Sequence, residues 1–160
     1  LLWKQSFEIG GQRLMDLFFQ QDPILPSEVK KLQNYCQEKL ISLANAIHQY
    51  SPQTLVGSAG SFETLVDIYN TSVQPNIITQ SISSSLPIES FYNSFYQFLE
   101  KDRDERLKIP GMIELRADMI VVASVLIDYV LKTFNIKELF VSNFALKEGV
   151  LSKLANNEPL

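Results

Sequence analysis

Residues Leu55 to Leu65, Leu-Val-Gly-Ser-Ala-Gly-Ser-Phe-Glu-Thr-Leu, are the stretch of this chain best suited to hold an anion. A short apolar run breaks into small residues and then resumes with helical character. That is the outline of a strand, a phosphate-sized loop and a helix. Gly57 and Gly60 can take backbone angles closed to other residues, and Ser58, Ala59 and Ser61 put little bulk between the backbone and a ligand. Ser61 is placed to cap the helix that follows. A helix start gathers unpaired backbone N–H groups and the positive end of the macrodipole, so phosphate can be held there without a basic side chain. A tight turn between two packed elements would use the same residues, and the loop alone leaves both readings open.

Two familiar nucleotide loops are excluded. A Walker A loop needs Lys and then Ser or Thr after its last glycine, whereas Gly60 is followed by Ser61 and Phe62. A dinucleotide fingerprint needs glycines at G-x-G-x-x-G spacing, and Ala59 and Phe62 stand at its second and third positions.

Other chemistry is sparse. Cys36 is the only cysteine and His48 the only histidine, which excludes a disulfide framework and leaves oxygen ligands for any metal. Cys36 falls on an apolar helical stripe and is expected to be a buried small hydrophobe. His48 sits at a helix end before Ser51-Pro52, a place that suits a solvated or cationic residue. The chain has 160 residues, 46% apolar and 20% charged, with a net charge of -4. That fits a single globular domain and favours neither disorder nor a nucleic-acid surface. The longest apolar stretch, Met119 to Ile127, runs nine residues between Asp118 and Asp128, far short of the ~20 that cross a bilayer. The chain opens on Leu1-Leu2-Trp3-Lys4 without an initiator methionine or signal-peptide pattern, and reads as a piece of a longer protein.

The elements that would position the loop follow from periodicity. Leu2 to Leu14, with Gly10 and Gly11, suits a strand or hairpin with a bend. Pro23, Pro26 and Ser27 mark a loop and a helix start. Val29, Leu32, Cys36, Leu40, Leu43 and Ile47 then form one stripe on a helix of about twenty residues. Thr54 to Val56 is a short strand and Ser61 to Tyr69 a helix. Thr71 to Pro87 reads as an irregular connection with a short helical turn near Ile77 to Ser81. Phe91, Phe95, Phe98 and Leu99 share one helical face, a core stripe and not a base-stacking platform. The mixed-charge run Lys101 to Lys108 reads as a solvated helix end closed by Ile109-Pro110-Gly111. A long helix from about Leu115 to Phe134 is apolar on nearly every face. Leu139-Phe140-Val141 is a strand, and Glu148 to Leu151 leads into a last helix. This order predicts an α/β layer with a mixed or parallel sheet.

Three glycine-marked junctions recur along this order: Val56 to Ser61; Ile109 to Met112 followed by Arg116-Ala117-Asp118; and Val141 to Gly149. Together with Ser6 to Leu14, they resemble the C-terminal lobe of the exopolyphosphatase and guanosine pentaphosphate phosphatase family, Ppx/GppA, over essentially the whole chain. The resemblance implies an actin-like, ribonuclease-H-like lobe, truncated at its N-terminal strand or strands, from a two-lobe cytoplasmic enzyme. The implied reaction is hydrolysis of a terminal phosphoanhydride of polyphosphate or guanosine pentaphosphate by glutamate-activated water, with Mg2+. The family's catalytic glutamate lies in the first lobe and its Asp-x-Gly-Gly-Gly-Ser loop opens the second. Neither is present here, so no residue of this chain is expected to be catalytic and the chain alone is expected to be inactive.

Glu8-Ile9-Gly10-Gly11 imitates that missing loop but lacks its third glycine and serine, and is read as a strand bend, not a metal or phosphate site. The resemblance carries phosphate or nucleotide binding onto Gly57, Ser58, Gly60 and Ser61, with Ala59 in place of a family glycine, and onto Arg116. Arg116 could clamp phosphate oxygens or pair with Glu114 or Asp118. Asp118 is expected to be a helix N-terminal carboxylate. Ser142 and Glu148, with Lys147 replacing the family's arginine, are expected to shape the last turn. A missing strand would leave a sheet edge and an apolar face, so the chain is expected to self-associate, as a homodimer. Two other classes share the fold: a non-catalytic module that binds a phosphorylated nucleotide, and an actin-like ATPase or kinase lobe.

Overall fold

The computed structural model describes residues 1–73 and 82–157; the helical turn expected near Ile77 to Ser81 lies outside them. Three short strands form a mixed sheet in the order β1-β3-β2. β1 (Thr54–Ser58) runs parallel to β3 (Glu138–Ser142), with Thr54 beside Glu138 and Ser58 beside Ser142, and β2 (Ser83–Ser85) lies antiparallel on the other side of β3. Helices supply the rest: α1 (Gly11–Phe18), α2 (Pro26–Lys39), α3 (Ile41–Tyr50), α4 (Ser61–Val73), α5 (Ile88–Glu100), α6 (Arg103–Arg106), α7 (Met119–Thr133) and α8 (Leu146–Ala155). The expected α/β class with a mixed sheet is therefore what forms.

The centre is α7. Ile120, Val121, Val122 and Val125 are all fully buried, because α1, α2, α4 and α5 pack around the helix. A helix apolar on nearly every side needs that many neighbours. It is shorter than expected, since Glu114–Arg116 form a separate 3-10 turn before it. Phe91, Phe95 and Phe98 of α5 are buried against this centre, so the aromatic stripe is core. Cys36 is buried too, and desolvation pushes its thiol up to about 11, which leaves almost no thiolate at neutral pH. Among the described residues no helix is long and apolar enough to cross a membrane.

Several expectations need correction. Leu2 to Leu14 is not a strand or hairpin: residues 1–10 are irregular and Gly11 opens α1. Leu14, Met15 and Phe18 have helical spacing, and Leu14 is fully buried. A Cβ on Gly11 would lie 2.8 Å from Met119 Cγ, so the glycine lets α1 sit against α7. The single helix of about twenty residues is two, α2 and α3, bent at Leu40 (φ -102°, ψ 18°) while Leu40 N–H still bonds to the Cys36 carbonyl at 2.9 Å. Thr71 to Pro87 is not wholly irregular, because α4 runs on to Val73 and Ser83–Ser85 join the sheet. Backbone pairing to β3 supplies there what the polar side chains do not signal.

The run Lys101 to Lys108 is not simply a solvated end. Arg106 is fully buried, while the side chains of Asp22 and Asp118 remain 27% and 39% exposed. Its guanidinium donates to Asp22 Oδ1 at 2.7 Å, to Asp22 Oδ2 at 3.2 Å, to the Ala117 carbonyl at 2.6 Å and to Asp118 Oδ1 at 3.3 Å, and also reaches the Lys101 carbonyl. A buried cation is tolerated when its donors are used in this way.

Candidate phosphate site

β1 ends at Ser58, and the chain then makes two consecutive left-handed residues, Ala59 (φ 59°) and Gly60 (φ 52°), before α4 begins at Ser61. Ser61 is thus the first helical residue and Gly60 precedes it in the cap position, not Ser61 as expected from sequence. The loop is closed by the Phe62 N–H bonding to the Ala59 carbonyl at 3.1 Å and the Thr64 N–H to the Gly60 carbonyl at 3.3 Å. Gly57 serves packing: a Cβ there would lie 2.2 Å from the Phe62 ring. Gly60 suits its positive backbone angle (φ 52°), and a Cβ there would meet what covers it only at ordinary contact distance.

What covers it is Arg116. From the 3-10 turn, its guanidinium lies over the loop, with Cζ, Nη1 and Nη2 each 3.6 Å from where a Gly60 Cβ would be. Arg116 is half-buried, and among the described residues its one polar contact is Met119 Sδ at 4.0 Å. Neither expected ion pair forms. Glu114 and Asp118 both turn to Arg103, at 3.1 and 3.3 Å, so among the described residues no carboxylate pairs with Arg116. Asp118 does stand at the start of α7, but its carboxylate serves Arg103 and Arg106 and makes no cap.

The other two junctions meet the first. Gly111 (φ 91°) presses on α4: a Cβ there would come within 2.6 Å of the Ile68 nitrogen and 2.7 Å of the Asp67 carbonyl oxygen. The third junction follows β3, and Ser142 stands beside Ser58 in the parallel ladder. The loops after β1 and β3 therefore emerge at the same end of the sheet, the carboxyl ends of parallel strands, where open α/β sheets place their ligands. Ser142 Oγ donates to the Phe144 carbonyl at 2.9 Å and accepts from the Phe144 N–H at 3.1 Å. Glu148 accepts the Ala145 N–H at 2.8 Å, and that bond foremost, with Lys147 nearby, holds its carboxyl below the usual carboxylate range. Both residues shape the turn, as expected.

The start of α4 and the Arg116 guanidinium fork can together hold phosphate oxygens. Glu63, in the first turn of α4, opposes an anion there. The local carboxylates do not fit a Mg2+ cage: Glu114 and Asp118 are committed to Arg103, and no three acidic, His or Cys side chains converge among the described residues. Glu8, in the irregular segment before α1, pairs with Arg13 of α1 at 2.7 Å; the chain bends at Glu8 but forms no strand there. Arg103, Arg106 and Asp22 were not singled out by sequence; alternating charges in Lys101 to Lys108 carry no mark of which side chain turns inward.

The left-handed Ala59 gives a local prediction. An L-residue in that region costs roughly 1–2 kcal/mol, whereas glycine costs about 0.5–1 kcal/mol in unfolded-chain entropy. Ala59→Gly is expected to leave stability unchanged or raise it by up to about 1 kcal/mol in urea unfolding. A loss of about 1 kcal/mol, the usual result at an ordinary backbone position, would contradict the strained loop.

Comparison with known proteins agrees with this architecture. A family model described as the Ppx/GppA phosphatase family matches residues 3–158. The chain is 42% identical to an exopolyphosphatase from Cytophaga hutchinsonii of known crystal structure, with a TM-score of 0.88, covering 99% of this chain and 51% of that one. A Ppx/GppA family member from Aquifex aeolicus superposes with a TM-score of 0.77 at 26% identity, over 98% of this chain and 50% of that one. A putative exopolyphosphatase from Haemophilus influenzae is 24% identical over 156 residues, 98% of this chain and 46% of the relative. The chain thus spans about half the length of the relatives it matches.

Proposed function

Because this chain belongs to the Ppx/GppA phosphatase family, we propose that it is the second lobe of a phosphohydrolase that removes terminal phosphate from inorganic polyphosphate. Its share of the work is one wall of the phosphate site, made by Ser58, Gly60, Ser61 and Arg116, with Gly57 packing the loop against Phe62. The observation that carries this reading is the Arg116 guanidinium poised over Gly60 with no carboxylate partner among the described residues. Polyphosphate is a chain of anions, and loop N–H groups with a guanidinium fork match its oxygens better than they match any neutral substrate.

Phosphoryl transfer depends on positioning and on stabilising charge at the transferring group. In this reading the loop and Arg116 hold and neutralise non-bridging oxygens, while the base that activates water comes from the other lobe. Mg2+, if used, is held by that other lobe as well, since the carboxylates beside Arg116 are taken. Guanosine pentaphosphate offers the same terminal anhydride and is the alternative substrate, in a cytoplasmic enzyme. Exposed Val56 on β1 and Leu146 and Leu151 on α8 support self-association, and a homodimer is the state proposed.

A second reading rests on Ala59. A side chain where relatives are read as carrying glycine narrows the loop, and a non-catalytic module binding a phosphorylated nucleotide would tolerate that. Supplying the full-length protein with polyphosphate, guanosine pentaphosphate and ATP separates the readings by the phosphate released. Release from polyphosphate is expected, with none from the 160 residues alone. Binding without release would favour the sensor, and transfer from ATP to an acceptor would favour the kinase lobe.

A further inference from the structure

We infer that Arg103 is a positioning residue for this site: its guanidinium holds Glu114 and Asp118, the carboxylates two places before and after Arg116, and so keeps Arg116 open to phosphate. The inference rests on Arg116 being a phosphate ligand.

Arg103 is well fixed for that task. Its backbone N–H donates to Asp22 Oδ2 at 2.7 Å at the start of α6, where Asp102 also accepts the Glu105 N–H at 2.9 Å. From there Nη2 reaches Glu114 Oε1 at 3.1 Å and Nε reaches Asp118 Oδ2 at 3.3 Å. One fork thus spans both acids that flank Arg116 in sequence. Asp118 has a second cation, Arg106 at 3.3 Å, but Glu114 has only Arg103 among the described residues and is 80% exposed. Without Arg103, Glu114 is the carboxylate released, two residues from Arg116 on the same 3-10 turn, where it acts through its charge and not by facing Arg116. It would place an uncompensated negative charge beside a site meant for a polyanion.

The test is polyphosphate hydrolysis by the full-length protein in four variants, Arg103→Ala, Arg103→Ala with Glu114→Gln, Glu114→Gln and Arg116→Ala. Arg103→Ala is expected to raise KM about fivefold, the effect of one charge at ~4 Å in a water-like medium, with kcat within about twofold. Adding Glu114→Gln is expected to bring KM back to within about twofold of the unaltered protein, since the harmful carboxylate is gone. Glu114→Gln alone is expected to change little. The inference is overturned if Arg103→Ala leaves KM unaltered, if Glu114→Gln fails to restore it, or if Glu114→Gln alone lowers KM severalfold, because Glu114 would then act on the site despite Arg103. The last arm needs no change at Arg103 and so stands even if Arg103→Ala does not fold. If Arg116→Ala leaves kinetics untouched, the reading of Arg116 itself fails, and that result is distinct from the others.

Discussion

Replacing Arg106 with methionine is expected to destabilise the fold by about 3 kcal/mol and to lower Tm by roughly 10 °C, as followed by thermal and urea unfolding. Arg106 is fully buried, and its donors serve Asp22, Asp118 and the carbonyls of Ala117 and Lys101. Methionine fills part of the volume but leaves those acceptors without their cation, and removing one partner of a buried pair costs about 3–5 kcal/mol. The lower end applies because Asp22 and Asp118 are part-exposed and keep other donors, the Arg103 N–H and the Arg103 side chain. Arg106 joins the segment before α2, the 3-10 turn and the start of α7, so its loss would also loosen the turn that carries Arg116. A loss below about 1 kcal/mol would show that the network is solvated in solution and contributes little.

Arg116→Ala is the largest functional effect expected. In the full-length protein, phosphate release from polyphosphate should fall about 100-fold in kcat/KM, roughly 2.7 kcal/mol, the scale of one preorganised donor to a developing oxyanion. Stability should change by less than about 0.5 kcal/mol, because the side chain is half-buried and its one polar contact among the described residues is the Met119 sulfur. Arg116→Lys should recover only part of the activity, since an ammonium lacks the planar fork. Equal activity in Arg116→Ala would assign this guanidinium to packing over Gly60.

The two parallel strands, the aromatic face of α5 and the apolar run of α7 are legible because their patterns are local and strongly periodic. The position of the loop after β1 is legible for the same reason, since small residues stand between an apolar run and a helical pattern, although that pattern suits a tight turn as well as an anion site. Three features are not legible. Gly10 and Gly11 give a strand-like bend signal at the start of α1, yet Leu14 finds a fully buried place on α7 and the helix forms. No Pro or Gly stands at Leu40 to announce the bend, and Leu40 itself is buried. Arg106 lies in a run whose alternating charges describe a wet surface, and partners outside that run, Asp22 84 residues away together with Asp118 and the Ala117 carbonyl, hold it inward. Each failure has the same origin, a distant contact overriding a local preference. The partner of Arg116 was open for this reason too, because Arg103 competes for both neighbouring acids.

The central claim is that the loop after β1 and Arg116 together form a phosphate wall. It is tested most directly by titrating tripolyphosphate into the isotopically labelled chain and following backbone amide and arginine Nε–H resonances. Shifts concentrated on Ser58 to Phe62 and on Arg116, lost in Arg116→Ala, are the predicted result. Shifts that fall elsewhere, or that survive unchanged without Arg116, would contradict it.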